Sequence, residues 1–140
     1  MQLLVNIDVP DLGAAEAFYA AAFGLVAARR FGAGGVEMVG ATAPIYLLAH
    51  PPGSTAVRGT ALARDYARHW TPVHLDVVVA DLDQALDRAL SAGAILESPR
   101  RDEAWGSIAV CADPFGHGFC LIEFTARGYD AVASAAPASS

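Results

Sequence analysis

The stretch Val5-Asn6-Ile7-Asp8-Val9-Pro10-Asp11-Leu12 returns, seventy positions later, as Leu75-Asp76-Val77-Val78-Val79-Ala80-Asp81-Leu82. In each copy an apolar strand pattern leads into an Asp-Leu pair, then an alanine-rich segment at helical spacing, then a glycine. A repeat of about 70 residues in only two copies is too long for a solenoid. The repeat therefore indicates a duplicated module, and the cleft between the two halves is the place to look for function.

Hydrophobic periodicity assigns secondary structure along both copies. Asp11 suits the N-cap of the first helix, Gly24 suits its C-cap, and Asp81 repeats the capping position of Asp11. A further short helix is predicted over residues 61–68. In module one we expect strands at 3–9, 25–31, 35–39 and 44–49 with a helix at 14–22, and in module two strands at 72–79, 94–98, 106–111 and 118–125 with a helix at 83–92.

The predicted order of elements is βαβββ, given twice, which identifies the fold class as α+β. A parallel dinucleotide-binding sheet is excluded because strands and helices do not alternate throughout. We expect two curved mixed sheets around a cleft in a single domain over residues 1–127. Module one covers 1–50, a linker rich in Pro and Gly covers 51–71, and module two covers 72–127. The Ala/Ser/Pro-rich residues 128–140 are expected to be a disordered tail.

Composition narrows the classes of partner. The chain has 140 residues, 54% of them hydrophobic, and a formal net charge of −6. This balance favours a packed globular protein and argues against a nucleic-acid surface, which needs clustered Lys and Arg. No run approaches the roughly 18 to 20 apolar residues that span a bilayer, and no signal-peptide pattern is present. With only two cysteines, Cys111 and Cys120, we expect a cytoplasmic protein with no membrane partner.

Short motifs in both halves carry a family resemblance. They are Val9-Pro10-Asp11-Leu12 and Phe23-Gly24-Leu25 in module one, and His74-Leu75-Asp76, Ala92-Gly93-Ala94 and Asp113-Pro114-Phe115-Gly116 in module two. In this order they resemble the vicinal oxygen chelate superfamily of glyoxalases, bleomycin-resistance proteins and extradiol dioxygenases. The closing Phe119-Cys120-Leu121 is similar to its glyoxalase-like domain subgroup. The resemblance implies a cupped sheet around a cavity, and often a homodimer.

The resemblance also implies where metal ligands would lie. A His is expected seven positions before the Asp of each Asp-Leu pair: module two has His74 there, but module one has Leu4. A Glu is expected seven positions after Asp113, where this chain has Cys120. Glu123 lies three residues further on, so strand alternation turns it to the opposite face. One family ligand remains, and we expect no metal and no other cofactor. A divalent metal is kept as the lower-ranked alternative.

Five residues are the predicted ligand-contacting set: His74, Cys120, Tyr46, Trp105 and Leu4. His74 either packs with one ring nitrogen bonded or faces the cavity. Cys120 is either a small core residue or, if His74 lies beside it, an activated thiol. Tyr46 and Trp105 offer flat apolar area to a planar ligand, and core packing is the alternative. No catalytic residue is assigned.

Three functions compete on this evidence. The first in rank is a metal-independent protein that holds an aromatic or apolar small molecule in the cleft, as in the bleomycin-resistance branch. The second is a metal-dependent lyase or dioxygenase of the glyoxalase type. The third is a metal-free enzyme that uses His74 as acid or base. In each case the expected partner is a small molecule.

Overall fold

A computed structural model describes residues 1–135 of the chain. It contains two four-stranded mixed sheets and two helices, so the α+β prediction is confirmed. The order within the sheets is β1-β4-β3-β2 and β5-β8-β7-β6, which makes each module a copy of the other. The elements are β1 (Val5–Val9), α1 (Leu12–Phe23), β2 (Val26–Arg30), β3 (Gly35–Val39), β4 (Ile45–Ala49), β5 (Leu75–Val78), α2 (Leu82–Ala92), β6 (Ile95–Glu103), β7 (Gly106–Ala112) and β8 (Gly118–Phe124).

The two helices begin and end as the repeat predicts. The side chains of Asp11 and Asp81 each accept a 3.0 Å hydrogen bond from a backbone amide of the first turn. Each cap satisfies one amide that has no partner within its helix. Gly24 ends α1 with a φ of 68° and Gly93 ends α2 with a φ of 116°. Both angles lie in the left-handed region, where only glycine avoids a steric penalty.

The first strand of each module is an edge strand. It pairs in parallel with the last strand of its own module, β1 with β4 and β5 with β8. Within this register Asn6 lies opposite Tyr46, and Asp76 lies opposite Cys120. Alternation then turns Ile7 and Leu121 toward the helices, where they are buried in the core, while Asp76 and Cys120 share the other face.

The helices join the two modules. α1 packs against α2, and its aromatic side chains reach the end of module two. The rings of Phe18 and Phe115 meet edge to face at 6.4 Å between centroids, and those of Phe23 and Phe119 at 5.2 Å. Offset and edge-to-face pairs of this kind add to the free energy gained from burial. The two halves therefore share one apolar core.

The bounds of the predicted strands were wrong by more than two residues in two cases. β6 continues to Glu103 instead of ending at 98, because it is an edge strand with register shifts between Leu96 and Arg101, and these accommodate Pro99. β5 begins at Leu75, not at 72, since the preceding residues form a turn in which Thr71 Oγ1 donates to the carbonyl of Val73 at 2.8 Å.

The helix predicted over residues 61–68 was also wrong. Leu62 and Tyr66 have helical spacing, but the backbone around them forms hydrogen bonds with the start of the linker. The amide of Arg64 donates to the carbonyl of Ser54, and the amide of Gly53 donates to the carbonyl of Arg64. The Arg64 guanidinium holds Asp8 of β1 at 2.6 Å. These contacts between distant residues outweigh local helical preference.

The linker then crosses to module two. Arg68 pairs with Glu97 of β6 at 2.6 Å. The Tyr66 carbonyl comes so close to Gly116 that a Cβ at Gly116 would lie 2.2 Å from it. Linker residues 66–68 are therefore fitted closely against the β7–β8 turn and the edge of module two.

Residues 128–140 were predicted to be a disordered tail. The structure instead gives Gly128–Ala131 a 3-10 helix, and the Tyr129 ring packs on Phe124 at 4.7 Å and on Trp105 at 5.4 Å. The aromatic contact explains why this segment is ordered. Residues 136–140 of the predicted tail lie outside the described residues.

Candidate functional site

A cavity of about 960 Å³ lies between the two edge strands β1 and β5. Both modules contribute to it, so the expectation of a cleft between the halves agrees with the structure. Its apolar wall includes Val5, Phe23 and Leu25 of module one and Val77 and Phe119 of module two. Polar groups reach it from Asn6, Asp8, Thr42, Thr71, His74 and His117.

His74 lies at this cavity beside two other polar residues. Its Nε2 is 3.2 Å from Asp76 Oδ1, and donor atoms of His74, Asp76 and Cys120 all lie within 4.8 Å of one another. The convergence of His74 with Cys120 agrees with the expectation drawn from the resemblance. Asp76 was missed as a site residue: it lies in β5, two positions after His74, which directly precedes that strand.

Cys120 is buried, with 3% of its surface exposed. Burial, with a smaller contribution from the nearby Asp76 carboxylate, raises the pKa of the Cys120 thiol to about 11. A nucleophilic cysteine needs the opposite shift, produced by a positive neighbour. Cys120 is therefore a neutral thiol near neutral pH, which favours the core-residue interpretation over an activated nucleophile.

The donor set does not fit the cation that the family resemblance implies. Catalytic hard cations take carboxylate, carbonyl, water and imidazole ligands. Here the position for a second His holds Leu4, which is half exposed, and the position for a Glu holds Cys120. Glu123 supplies no replacement, because it lies opposite Ser107 and 3.7 Å from Arg100, whereas Cys120 lies opposite Val110 on the other face of the sheet.

Tyr46 contacts a charged pair within module one. Its hydroxyl donates to Glu37 Oε2 at 2.7 Å and accepts from Arg29 Nη2 at 3.0 Å, while Arg29 forms a two-pronged ion pair with Glu37. The Arg29 guanidinium, followed by the Tyr46 hydroxyl, lowers the pKa of Glu37 to about 2. Tyr46 is not among the described residues that line the cavity.

Trp105 and Leu4 also lie away from the cavity lining, as far as the described residues show. Trp105 occupies the turn before β7 and packs against Phe124 and Tyr129. Trp70 is not among the described lining residues either, but it lies beside His74. Its ring lies 4.8 Å from that of His74, and the Arg68 guanidinium covers it at 5.4 Å.

A second polar cluster reaches the same cavity. Asp113 is 1% exposed and accepts four hydrogen bonds: from the Tyr19 hydroxyl at 2.7 Å, from His117 Nδ1 at 2.8 Å, and from the amides of Phe115 and His117. His117 must donate through Nδ1 because a carboxylate only accepts. Burial alone would raise the pKa of Asp113, but the bonds from His117 and Tyr19 hold it below its ordinary value.

His117 is thus a cavity residue that the sequence did not single out. Its side chain is held in place, because Asp113 accepts a hydrogen bond from its ring and the Tyr66 ring packs at 6.2 Å from it. The signal in the sequence was the Asp113-Pro114-Phe115-Gly116 turn, in which an Asp side chain commonly bonds the amides that follow it. The cavity therefore has two histidines, one from each of two polar clusters.

Comparisons with known proteins agree with this architecture. The sequence profile of the family described as "Glyoxalase-like domain" matches residues 4–122. Among curated proteins the chain is 30% identical over 135 residues to the anthracycline biosynthesis protein DnrV of Streptomyces peucetius, covering 94% of this chain and 44% of that protein. It is 44% identical over 52 residues to the uncharacterized protein Rv0887c of Mycobacterium tuberculosis, covering 36% of this chain and 31% of that one. The chain thus spans less than half the length of these relatives.

Solved structures show the same fold. The fosfomycin resistance protein FosX of Listeria monocytogenes superposes with a TM-score of 0.68 at 18% identity, covering 91% of this chain and 95% of that one. A glyoxalase/bleomycin resistance protein/dioxygenase family enzyme of Burkholderia phytofirmans gives 0.67 at 19% identity, covering 87% and 97%. None of the helices in residues 1–135 is long and apolar enough to cross a membrane. With its profile match, its two βαβββ modules and these structural neighbours, the chain belongs to the glyoxalase-like domain family of the glyoxalase/bleomycin-resistance superfamily.

Proposed function

We propose that this protein binds a planar, largely apolar small molecule in the cavity between β1 and β5, and that it needs no hard divalent cation to do so. The observation that carries the proposal is the cavity itself, walled by apolar side chains of both modules. Known pockets for small ligands are mostly apolar, with a few polar groups that fix orientation. His74 and His117 are the groups in position for that role.

The size of the cavity supports a polycyclic ligand. At about 960 Å³ it lies near the upper end of pockets that hold drug-sized molecules. Phe23 and Phe119 present aromatic surface, and aromatic rings stack on planar ligands at small cost in side-chain entropy. The relative named for anthracycline biosynthesis supports the same chemistry, since an anthracycline is a planar polycyclic molecule.

The donor set supports the proposed independence from hard cations. Leu4 and Cys120 occupy two of the positions that would supply imidazole and carboxylate ligands, and Glu123 lies on the opposite face of the sheet. A cation that polarises paired substrate oxygens would lack ligands of the type it prefers. The affinity of the protein for its ligand should therefore come from the apolar walls.

A second candidate, metal-free acid–base catalysis by His74, has one observation in its favour. The Asp76 carboxylate lies 3.2 Å from His74 Nε2, an arrangement that orients an imidazole for proton transfer. If the protein catalyses a reaction on the bound molecule, His74→Ala should abolish turnover while binding of the molecule persists. Loss of binding and turnover together would instead assign His74 to recognition alone.

Binding is tested by titrating tag-free protein with 1,4-dihydroxyanthraquinone, a planar tricyclic probe, while following its absorbance and the protein fluorescence. We expect saturable one-site binding that an excess of EDTA leaves unchanged. Ala43→Phe places a ring at a cavity-lining position, and it should weaken binding more than about tenfold. Ala61→Phe, at an exposed linker position, is the matched control and should bind like the parent.

Two outcomes would overturn the proposal. One is binding of the probe that Ala43→Phe and Ala61→Phe leave equally strong, which would place the probe outside the cavity. The other is binding that disappears on chelation and returns with Mg²⁺ or Mn²⁺, which would favour the metal-dependent alternative. A homodimer and a cytoplasmic location stay predictions, the first of which sedimentation of the purified protein can test.

A further inference from the structure

We propose that His117 selects the ligand of this cavity: its imidazole Nε2 accepts a hydrogen bond from a hydroxyl or N–H group of a planar aromatic molecule. Asp113 is the positioning residue, because it determines which nitrogen of His117 carries the proton. The inference rests on the proposed ligand-binding function and adds the chemical class of the ligand, an aromatic molecule that bears a proton donor. It starts from the hydrogen bonds of one buried carboxylate.

The carboxylate of Asp113 has two partners for each of its oxygens. Oδ1 accepts from the backbone amides of Phe115 and His117 at 2.8 and 2.9 Å. Oδ2 accepts from the Tyr19 hydroxyl at 2.7 Å and from His117 Nδ1 at 2.8 Å. These bonds use the roughly four acceptor sites that a carboxylate offers. Asp113 is therefore fixed in orientation by donors from both modules.

This arrangement determines the tautomer of His117. A carboxylate only accepts hydrogen bonds, so Nδ1 must carry the proton, and Nε2 of the neutral ring then has a lone pair and can only accept. Within residues 1–135 no group bonds to Nε2. No buried side-chain nitrogen of those residues lacks a partner, so Nε2 is open to solvent, and 33% of the side chain is exposed. Because His117 lines the cavity, it presents an acceptor there.

The ring that presents this acceptor is held from two sides. Asp113 holds Nδ1, and the Tyr66 ring packs edge to face at 6.2 Å between centroids. Tyr66 is itself anchored, because its hydroxyl donates to the carbonyl of His50 at 2.8 Å. An acceptor that is already ordered loses little side-chain entropy when a ligand binds.

Two other polar side chains at the cavity are already engaged. The carboxylate of Asp8 is held by the Arg64 guanidinium at 2.6 Å. His74 Nε2 lies 3.2 Å from Asp76 Oδ1, and both of these residues are exposed. His117 is thus the cavity histidine whose open nitrogen has a defined role.

A ligand without a proton donor should be rejected at this position. It would cover Nε2 and leave a buried acceptor without a partner, which costs more than the bond itself contributes. Sites built to bond a substrate OH or NH discriminate strongly against analogues that lack the group. The preference should therefore appear as a ratio of affinities between two probes of the same shape.

The experiment titrates tag-free protein with 2-aminoanthraquinone, which offers N–H donors, and with 2-methylanthraquinone, which has nearly the same shape and offers none. His117→Asn keeps a side-chain N–H for Asp113 but has no nitrogen where Nε2 lies. We expect it to lower the amino-to-methyl affinity ratio about tenfold. His117→Phe keeps a ring and should have the same effect. The control is His69→Phe, at an exposed linker position outside the described lining, which should leave the ratio unchanged.

Asp113→Asn tests the positioning role. The side-chain amide of Asn can donate to His117 Nδ1, so the proton moves to Nε2 and the ring presents a donor to the cavity. The ratio should fall at least as far as in His117→Asn. In the parent, the visible band of bound 2-aminoanthraquinone should move to longer wavelength as its N–H donates, and Asp113→Asn should lack this shift. A merely structural role of Asp113 would weaken binding of both probes equally.

Two outcomes would overturn this inference alone. One is a ratio that His117→Asn and His117→Phe leave unchanged while both probes still bind. The other is a ratio that His69→Phe lowers as much. Failure of both probes to bind the parent would overturn the proposed function as well, so the two failures are distinguishable. Binding of 2-methylanthraquinone to each variant shows that its cavity is intact.

Discussion

The phenol of Tyr19, on the helix of module one, donates a 2.7 Å hydrogen bond to the carboxylate of Asp113, in the last turn of module two. Both residues are almost fully buried, with exposed fractions of 4% and 1%. Burial, then the charge and the hydrogen bond of Asp113, raise the pKa of Tyr19 well above its ordinary value. One polar contact thus crosses the apolar interface between the modules.

Removing this hydroxyl should destabilise the whole protein. Tyr19→Phe takes one of four donors away from a buried carboxylate, and we expect a loss of about 1–3 kcal/mol in the free energy of unfolding, measured in urea. Tyr129→Phe is the control, because its ring packs on Phe124 and Trp105 while about half of the residue is exposed. It should stay within about 0.5 kcal/mol of the parent. Equal effects of the two variants would contradict the assignment.

The same carboxylate predicts how stability depends on pH. The pKa of Asp113 in the folded protein is lower than the ordinary 3.8, so protonation favours the unfolded chain. The ionised Asp113 carboxylate therefore stabilises the folded protein fully above a pH of about 4, and this stabilisation is lost as the pH falls through the folded pKa. We would measure the free energy of unfolding of the parent and of Asp113→Asn from pH 6 to pH 2.5. The difference between the two proteins should become smaller as the pH falls. A gap that is constant over this range would exclude the mechanism.

The ion pair in module one predicts a carboxylate titration. Arg29→Gln removes the guanidinium that lowers the pKa of Glu37 to about 2, so that pKa should rise toward its ordinary value of 4.5. The carboxyl carbon signal of Glu37 in an NMR titration reports the change directly. Arg30→Gln is the matched control, because Arg30 pairs with Glu16 instead. A Glu37 titration unchanged in Arg29→Gln would show that the pair does not persist in solution.

A glycine at the start of β7 should tolerate no side chain. A Cβ at Gly106 would lie 2.2 Å from the carbonyl oxygen of Glu123, and the φ of 156° is itself rarely adopted by other residues. Gly106→Ala must therefore push β7 away from β8. We expect it to lower the free energy of unfolding, measured by thermal unfolding, by about 1–3 kcal/mol or more. A Cβ at Gly34 would make only an ordinary contact, at 3.6 Å, so Gly34→Ala should be about as stable as the parent. A Gly106→Ala protein as stable as Gly34→Ala would contradict this packing.

Much of the fold was predictable because local sequence patterns determine it. The repeated Asp-Leu pair, the two capping aspartates and the glycine after each helix determine where both helices begin and end. The failures occurred where distant residues decide the outcome. Arg64 bonds to Asp8 across 56 positions and holds the linker against β1, and the packing of Tyr129 orders a segment whose composition suggested disorder.

The candidate site was only partly predictable for the same reason. His74 and Cys120 could be placed by their distance from the Asp-Leu and Asp-Pro turns, but the role of Asp76 depends on the register of β5 with β8. Tyr46 has the residue type that a planar ligand would favour, yet Glu37 and Arg29 bind its hydroxyl. No pattern within one strand reveals which side chains a neighbouring strand will engage.

The edge position of β1 and β5 has a consequence for solubility. A row of unpaired backbone groups at the edge of a sheet can recruit strands of other molecules and start aggregation. Both strands are short, five and four residues, and each carries one aspartate, Asp8 or Asp76, between apolar neighbours. A charge on an edge strand opposes stacking against another apolar edge. These two carboxylates therefore oppose the pairing of β1 and β5 with strands of other molecules, and so oppose self-association at the apolar cavity between them.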